Sequence, residues 1–211
     1  MESITGKALV ASPYLTEQSF LRSVVYILRH DDEGAFGLIL NRPTSMRVGE
    51  LLELYLGHSI ENTEPICHGG PEYPGGPEYP GSPEYHGGRV YHGGPVEGPL
   101  LALHDRVGGG SEEFDFCSHL GLHIATDQTT LVDLWQKRDC RFRTFNGYSG
   151  WGAGQLESEL KAGGWLVWDA PPEAVFADPE PMWKQAVQQI GRDILGVQID
   201  ASRIPIDPAV N

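Results

Sequence analysis

The sequence predicts an α+β fold with a mixed sheet, and three observations predict it. Two β-branched, apolar runs, Ser23 to His30 and Ala35 to Asn41, are separated only by Asp31-Asp32-Glu33-Gly34. That connection suits a hairpin and is far too short for a parallel crossover. Amphipathic helical patterns lie scattered among the strands, so they do not alternate regularly with them as in a doubly wound sheet. No shift in composition splits the 211 residues. The expectation is one domain over 1–211, interrupted by a Pro/Gly/Tyr-rich insertion over 68–92.

The elements follow in order. Lys7 to Ala11 reads as a strand stopped by Pro13, and Thr16 to Phe20 as a helical turn with Thr16 as its cap. The hairpin of the two apolar runs comes next, hydrophobic enough to be buried on both faces, and Pro43 ends it. Val48 to Leu56 places Val48, Leu51, Leu52 and Tyr55 at i, i+3, i+4 and i+7, the spacing of one helix face. Then a hexapeptide recurs three times, beginning at Pro71, Pro77 and Pro83. Its Pro and Gly density excludes helix and central strand, and its lack of aliphatic residues leaves nothing to offset the entropy of ordering. It reads as an extended surface loop.

Leu100 to His104 and Gly121 to Ala125 read as strands, joined by a link at Gly108-Gly109-Gly110. Asp127 to Gln136 is a helix capped by Thr126 or Asp127. Cys140 to Phe145 alternates like a half-exposed strand. The glycines of Gly147-Tyr148-Ser149-Gly150-Trp151-Gly152-Ala153-Gly154 form a tight turn into a helix over Gly154 to Ala162. Backbone that bends sharply or approaches something closely favours glycine, which has no Cβ. Trp165 to Trp168 is a strand. Pro181 to Ile190 is the last helix, ending near Gly191, and a loose tail follows.

Composition excludes several functions. Net charge is −14, from 29 acidic and 15 basic residues. Affinity for nucleic acid comes mainly from Lys and Arg neutralising phosphates, so direct DNA binding is not expected, and neither is attraction to anionic membranes. Arg138, Arg141 and Arg143 read as a solvated strand face. The three cysteines, Cys67, Cys117 and Cys140, are odd in number and contain no CxxC, which fits free thiols in a reducing compartment. No apolar run spans a bilayer, and Met1 to Lys7 carries no secretory signal pattern. The expected location is the cytoplasm, with no membrane partner.

Catalytic motifs do not emerge. His68, His86 and His92 precede Gly-Gly and reflect the repeat, and His119 and His123 are four apart in a strand context where a metal pair needs a helix. Glu157 and Glu159 diverge around a helix and make no acid–base dyad. There is no nucleophile elbow, phosphate loop or dinucleotide fingerprint. No cofactor and no metal are expected. What remains is a set of polar, aromatic and glycine positions at strand ends and turns: Asn41, Arg42, Gly93, Gly94, Pro95, His104, Tyr148, Gly150, Trp151 and Gln155. Such positions line ligand grooves in many proteins.

The same segments carry a family resemblance. Gly6 to Pro13, Phe20 to Val25, His30, Gly34 to Pro43, Gly93-Gly94-Pro95-Val96, Leu103-His104, Gly147 to Trp151, Gly154 to Glu157, Trp165, Phe176 and Trp183 occur in an order and spacing that resemble the YqgE/AlgH family of bacterial proteins. The resemblance implies one α+β domain with a curved, barrel-like sheet flanked by helices, in a bacterial cytosolic protein. Some members are described as transcriptional regulators, a label from genetics, and the family brings no agreed catalytic residues. One departure is that His-Gly-Gly-Pro occurs at both ends of the insertion, at His68 and His92. The reading is a binding or regulatory protein that meets a protein or small-molecule partner through a groove at the glycine-rich turns, with any effect on transcription indirect. The alternative is an enzyme using His104, Tyr148 and Arg42 in that groove.

Overall fold

A computed structural model of the chain describes residues 2–56, 89–106, 121–137 and 140–198. The Pro-Glu-Tyr repeats, Cys67, Cys117, His68, His86, His119, Arg138, Gly108 to Gly110 and the tail from 199 lie outside the described residues, as does the Tyr55 side chain.

The predicted hairpin is the centre of the sheet. Strand β2 (Val24–Asp31) pairs antiparallel with β3 (Gly34–Ile39), and β1 (Ala8–Ala11) pairs antiparallel with β2 on its other side. The apolar run is buried on both faces because alternate residues enter two different cores. Ala8, Val10, Val24, Tyr26, Leu28, Leu38 and Leu40 face one of them. Leu9, Ala11, Val25, Ile27 and Ile39 face the other. The edge strand β9 (Trp165–Trp168) continues this side.

Several elements differ from the expectation. Pro43 begins a strand, β4 (Pro43–Arg47), at the opposite edge of the sheet. A missing N–H is tolerated at an edge. The last four residues of the supposed loop, Arg89–His92, form β5, with Val90 and Tyr91 buried. The glycine segment from Gly147 to Gly152 is strand, not turn: it completes β8 (Phe142–Gly152), eleven residues long. Phe142, Arg143, Thr144 and Phe145 are all buried, so β8 is covered on both faces where a half-exposed strand was expected.

β8 organises everything else. Its residues 144–146 pair with β5 in parallel and also, through the opposite edge, with the antiparallel β6 (Val96–His104). Its residues 149–152 pair antiparallel with β3. β7 (His123–Ala125) extends the β6 side. The result is one curled, half-barrel sheet of mixed direction.

Helices flank it. α1 (Val48–Leu56) and α2 (Gln128–Lys137) bury Val48, Leu51, Leu52, Leu131, Leu134 and Trp135 in a third core with Phe142. Asp127 caps α2 by accepting the Thr130 N–H at 2.9 Å. α3 (Gln155–Lys161) follows β8. α4 (Pro179–Gln198) runs well past Gly191. Near the N-terminus, Gln18–Phe20 is a single 3-10 turn without a side-chain cap, so Thr16 does not serve that role. Among the described residues, no helix is long and apolar enough to cross a membrane.

Candidate functional site

The glycines mark a place where backbone crosses backbone. β5 lies on one edge of β8 and β6 on the other, since Asn146 pairs with both His92 and Leu100. The chain must therefore pass over β8 between His92 and Val96. Gly93-Gly94-Pro95 makes that passage. A Cβ on Gly93 would sit 2.1 Å from the Gly147 carbonyl oxygen, and one on Gly94 2.2 Å from the Tyr148 carbonyl carbon. Gly147 itself has φ +76°, and a Cβ there would lie 2.6 Å from the Val96 oxygen. Pro95 and Gly150 are exposed. Gly93 is tied on both sides, donating to Asn146 O at 2.9 Å while its own oxygen accepts from Ile39 N–H at 2.8 Å and Ser149 Oγ at 3.1 Å.

Asn41 and Arg42 lie beside this crossing, because Arg42 O accepts the His92 N–H at 2.9 Å. Asn41 spans the start of β2. Its Oδ1 accepts from Val24 N–H and its Nδ2 donates to Arg22 O, both at 2.9 Å. Arg22 needs that support, being the one non-glycine residue with positive φ (+54°) among the described residues, a conformation that costs about 1–2 kcal/mol. Arg42 Nη2 donates to Leu21 O at 3.1 Å and Gln18 O at 3.4 Å. Partial burial pulls its guanidinium below the ordinary arginine range. Replacing Asn41 with Ala should cost about 2 kcal/mol by leaving two backbone groups unpaired. The melting temperature should fall by roughly 4–8 °C, measurable by calorimetry.

Trp151 and Gln155 belong to a second knot. Glu159 on α3 accepts both indole N–H groups on one oxygen, Trp151 Nε1 at 3.0 Å and Trp165 Nε1 at 2.8 Å. Its other oxygen accepts from Gln155 Nε2 at 2.9 Å, and Gln155 Oε1 takes the Gly152 N–H at 3.1 Å. Phe20 stacks on Trp151 at 5.9 Å and meets Trp165 edge-on at 5.2 Å. Tyr148 points to the other face, against Phe36 at 5.0 Å. Glu157 turns away from Glu159, as residues two apart on a helix must. It meets His30 Nε2 at 3.1 Å, while His30 Nδ1 accepts the Ile4 N–H at 3.2 Å.

Glu157 is held below the usual carboxylate range, first by its own backbone N–H and then by His30. A depressed folded pKa stabilises above the unfolded value, and that contribution disappears as pH falls through the folded one. The melting-temperature gap between the wild type and Glu157→Gln should therefore be present at neutral pH and close below the ordinary carboxyl value of 4.5. A thermal-melt series across pH checks this.

His104 is not part of the convergence. On β6 it faces Phe142, whereas Val96 at the other end of the strand faces Tyr148. Six residue steps along β8 separate those positions, about 20 Å at 3.3 Å each. His104 is fully buried, stacks on His123 at 5.6 Å, and accepts the Arg106 N–H on Nδ1 at 3.2 Å. An expected groove holding His104 with Arg42 and Tyr148 is thus corrected by strand length. Arg143, expected on a solvated face, is buried, donating to Leu40 O and Ala177 O at 2.8 Å over the Tyr91 ring. Arg141 pairs with Asp105. No group of three metal-ligating side chains occurs among the described residues.

Sequence reasoning missed Glu159, His30 and Arg22 as participants. The i, i+4 pair Gln155 and Glu159 on a predicted helix, flanked by Trp151 and Trp165, was a usable signal for the first. Nothing local announces the His30–Glu157 pair, whose members are 127 positions apart.

The comparisons with known proteins agree with this architecture. A family model described as AlgH-like matches residues 8–195. A UPF0301 protein of Streptomyces coelicolor is 33% identical over 218 residues, covering 100% of this chain and 97% of its own. A UPF0301 protein of Cupriavidus pinatubonensis is 33% identical over 201 residues, covering 91% and 90%. The solution structure of the AlgH protein from Pseudomonas aeruginosa superposes with a TM-score of 0.63 at 25% identity, covering 94% of this chain and 96% of that one. A crystal structure of a Corynebacterium diphtheriae protein shares the fold, with a TM-score of 0.61 at 20% identity. From the sequence segments, the curled mixed sheet and these matches together, the chain belongs to the AlgH-like family.

Proposed function

We propose that this protein works by binding, as a regulatory protein of the bacterial cytoplasm, through the surface formed where Asn41-Arg42, Gly93-Gly94-Pro95 and the Tyr148–Gln155 segment converge. Its effect on transcription, where it has one, is indirect. One observation carries the reading: the polar side chains beneath that surface are consumed internally. Asn41, Ser149, Trp151, Gln155 and Glu159 spend their hydrogen bonds on backbone or on one another. The arrangement braces a rigid crossing and offers no nucleophile beside a base. Rigid elements carrying a few outward cations suit recognition of a partner.

Two measurements test this. A thermal-shift screen of metabolites, nucleotides and peptides should find a stabilising ligand, since a molecule that binds only the folded state raises stability by mass action. Fluorescence anisotropy with duplex DNA at low salt should show no tight complex, because a net charge of −14 opposes phosphate binding. Tight duplex binding would overturn the indirect route.

A further inference from the structure

We propose that Arg22 and Arg42, with the exposed Leu21 beside them, form a docking point for a short acidic peptide segment of a partner protein, in which carboxylates alternate with an aliphatic side chain. This rests on the binding reading above and names the class of partner.

Backbone contacts place the Arg42 guanidinium beside the peptide group of Arg22. Arg42 Nη2 bonds to the oxygen of the peptide group that joins Leu21 to Arg22. Asn41, its chain neighbour, holds the oxygen on the far side of Arg22. Arg22 extends over the Trp183 ring, 5.6 Å from its centroid, and the indole is itself fixed by donating to Ala11 O at 2.8 Å. Leu21 is 50% exposed.

Neither guanidinium meets a carboxylate among the described residues, in a chain with 29 acidic side chains. Lys7, Arg29, Lys137 and Arg141 each pair with an acid. Arg42 bonds only to two neutral carbonyls, leaving Nε and Nη1 without a protein partner among the described residues. Arg22 occupies a left-handed conformation that glycine would adopt without cost. A strained arginine whose side chain serves no internal ion pair is the kind of outlier that points outward, to function.

The chemistry selects the partner. A guanidinium fork matches a carboxylate in two parallel bonds. Arginine beside tryptophan is the composition of interface hot spots. A bare phosphate would leave the exposed Leu21 unused, whereas a peptide with an aliphatic residue between its acids covers it. The protein's overall negative field repels long polyanions such as nucleic acid. A segment with two or three carboxylates feels mainly the arginines it touches, since more distant charges are screened beyond about 8 Å at physiological salt.

The test uses a fluorescein-labelled hexapeptide of alternating Asp and Leu, followed by anisotropy against the full chain. Saturable binding is expected, and the same peptide with Asn in place of Asp should not bind. Arg42→Gln and Arg22→Gly should each weaken binding about five- to tenfold. Arg22→Gly also relieves the backbone strain, so it should melt at or above the wild-type temperature, which separates lost binding from lost folding. The proposal is overturned if the Asn peptide binds equally, if Arg22→Gly binds as the wild type does, or if inorganic phosphate displaces the peptide at matched concentration. Absence of any peptide binding also overturns it, while a ligand found in the thermal-shift screen would leave the broader binding function standing.

Discussion

Gly93→Ala should be the most damaging single substitution at the crossing, costing more than about 4 kcal/mol. The added methyl would lie 2.1 Å from the Gly147 carbonyl oxygen and 3.1 Å from Leu38 Cδ2. The first neighbour is backbone of β8, paired to strands on both edges, and cannot swing aside. Relief would require lifting the chain off β8, which would strain Gly93 N–H to Asn146 O and Ile39 N–H to Gly93 O, two bonds that tie the crossing to β8 and β3. Total stabilities of domains are about 5–15 kcal/mol, so this loss removes a large fraction. Soluble yield and urea unfolding measure it. Gly49→Ala serves as the control, because a Cβ there meets nothing within 4 Å and the site is helical, where Ala is favoured by up to about 1 kcal/mol. Equal stability of the Gly93→Ala protein and the wild type would mean that the chain does not pass over β8 as described.

The second large effect is expected at Glu159. Glu159→Ala removes the acceptor for two tryptophan N–H groups whose side chains are almost fully buried, and it frees Gln155 from α3. Hydrogen bonds to a charged acceptor contribute about 1.5–3 kcal/mol each, and a donor left unpaired in a buried setting carries its own desolvation cost. The bonds share one carboxylate and are not additive, so a total of about 3 kcal/mol is expected. The melting temperature should fall by roughly 6–12 °C for a chain of this size. Glu159→Gln retains an acceptor oxygen and should lose less. Near-ultraviolet circular dichroism reports the same event directly, because the packing of Trp151 against Phe20 and Trp165 depends on that clamp.

The sequence disclosed the elements whose signal is local. The β2–β3 hairpin was readable because its turn is short and its runs are β-branched. α1 was readable because Val48, Leu51 and Leu52 repeat at helical spacing and all three are buried. The elements that were missed depend on distant partners. β5 has only four residues in a Pro/Gly setting, and it is a strand because β8 runs beside it, more than fifty residues later in the chain. β4 was hidden by Pro43, which stops a strand in most places but not at an edge. The glycines at 147–152 predict both a sharp bend and a close approach; the bend is absent, since the segment is strand, but the close approach is present. The approaching group is the chain's own backbone at Gly93 and Gly94, which no local pattern distinguishes from a ligand.

The same distinction shaped the candidate site. Asn41, Arg42, Gly93, Gly94 and Tyr148 lie at or beside one crossing, Trp151 and Gln155 lie in the separate knot around Glu159, and their roles divide. The glycines permit the crossing, Asn41 ties the backbone beside it, the Trp151–Gln155–Glu159 knot ties α3 to β8 and β9, and Arg22 is exposed beside the half-buried Arg42. His104 shares their motif character and none of their location. Strand length alone separates it, a quantity that required knowing β6 to begin at Val96 instead of Leu100.

The central claim is that this region is a brace with an arginine-bearing outer surface, not a recess lined by its aromatic residues. The most direct measurement is a nitrogen–proton correlation spectrum read at the indole Nε1–H signals during titration with the Asp/Leu hexapeptide. The account predicts that Trp183, which lies under Arg22, shifts progressively, while Trp151 and Trp165, bound to Glu159, stay in place. Movement of Trp151 and Trp165 with Trp183 unchanged would contradict the arginine docking point and place the peptide on the Tyr148–Gln155 part of the proposed surface instead.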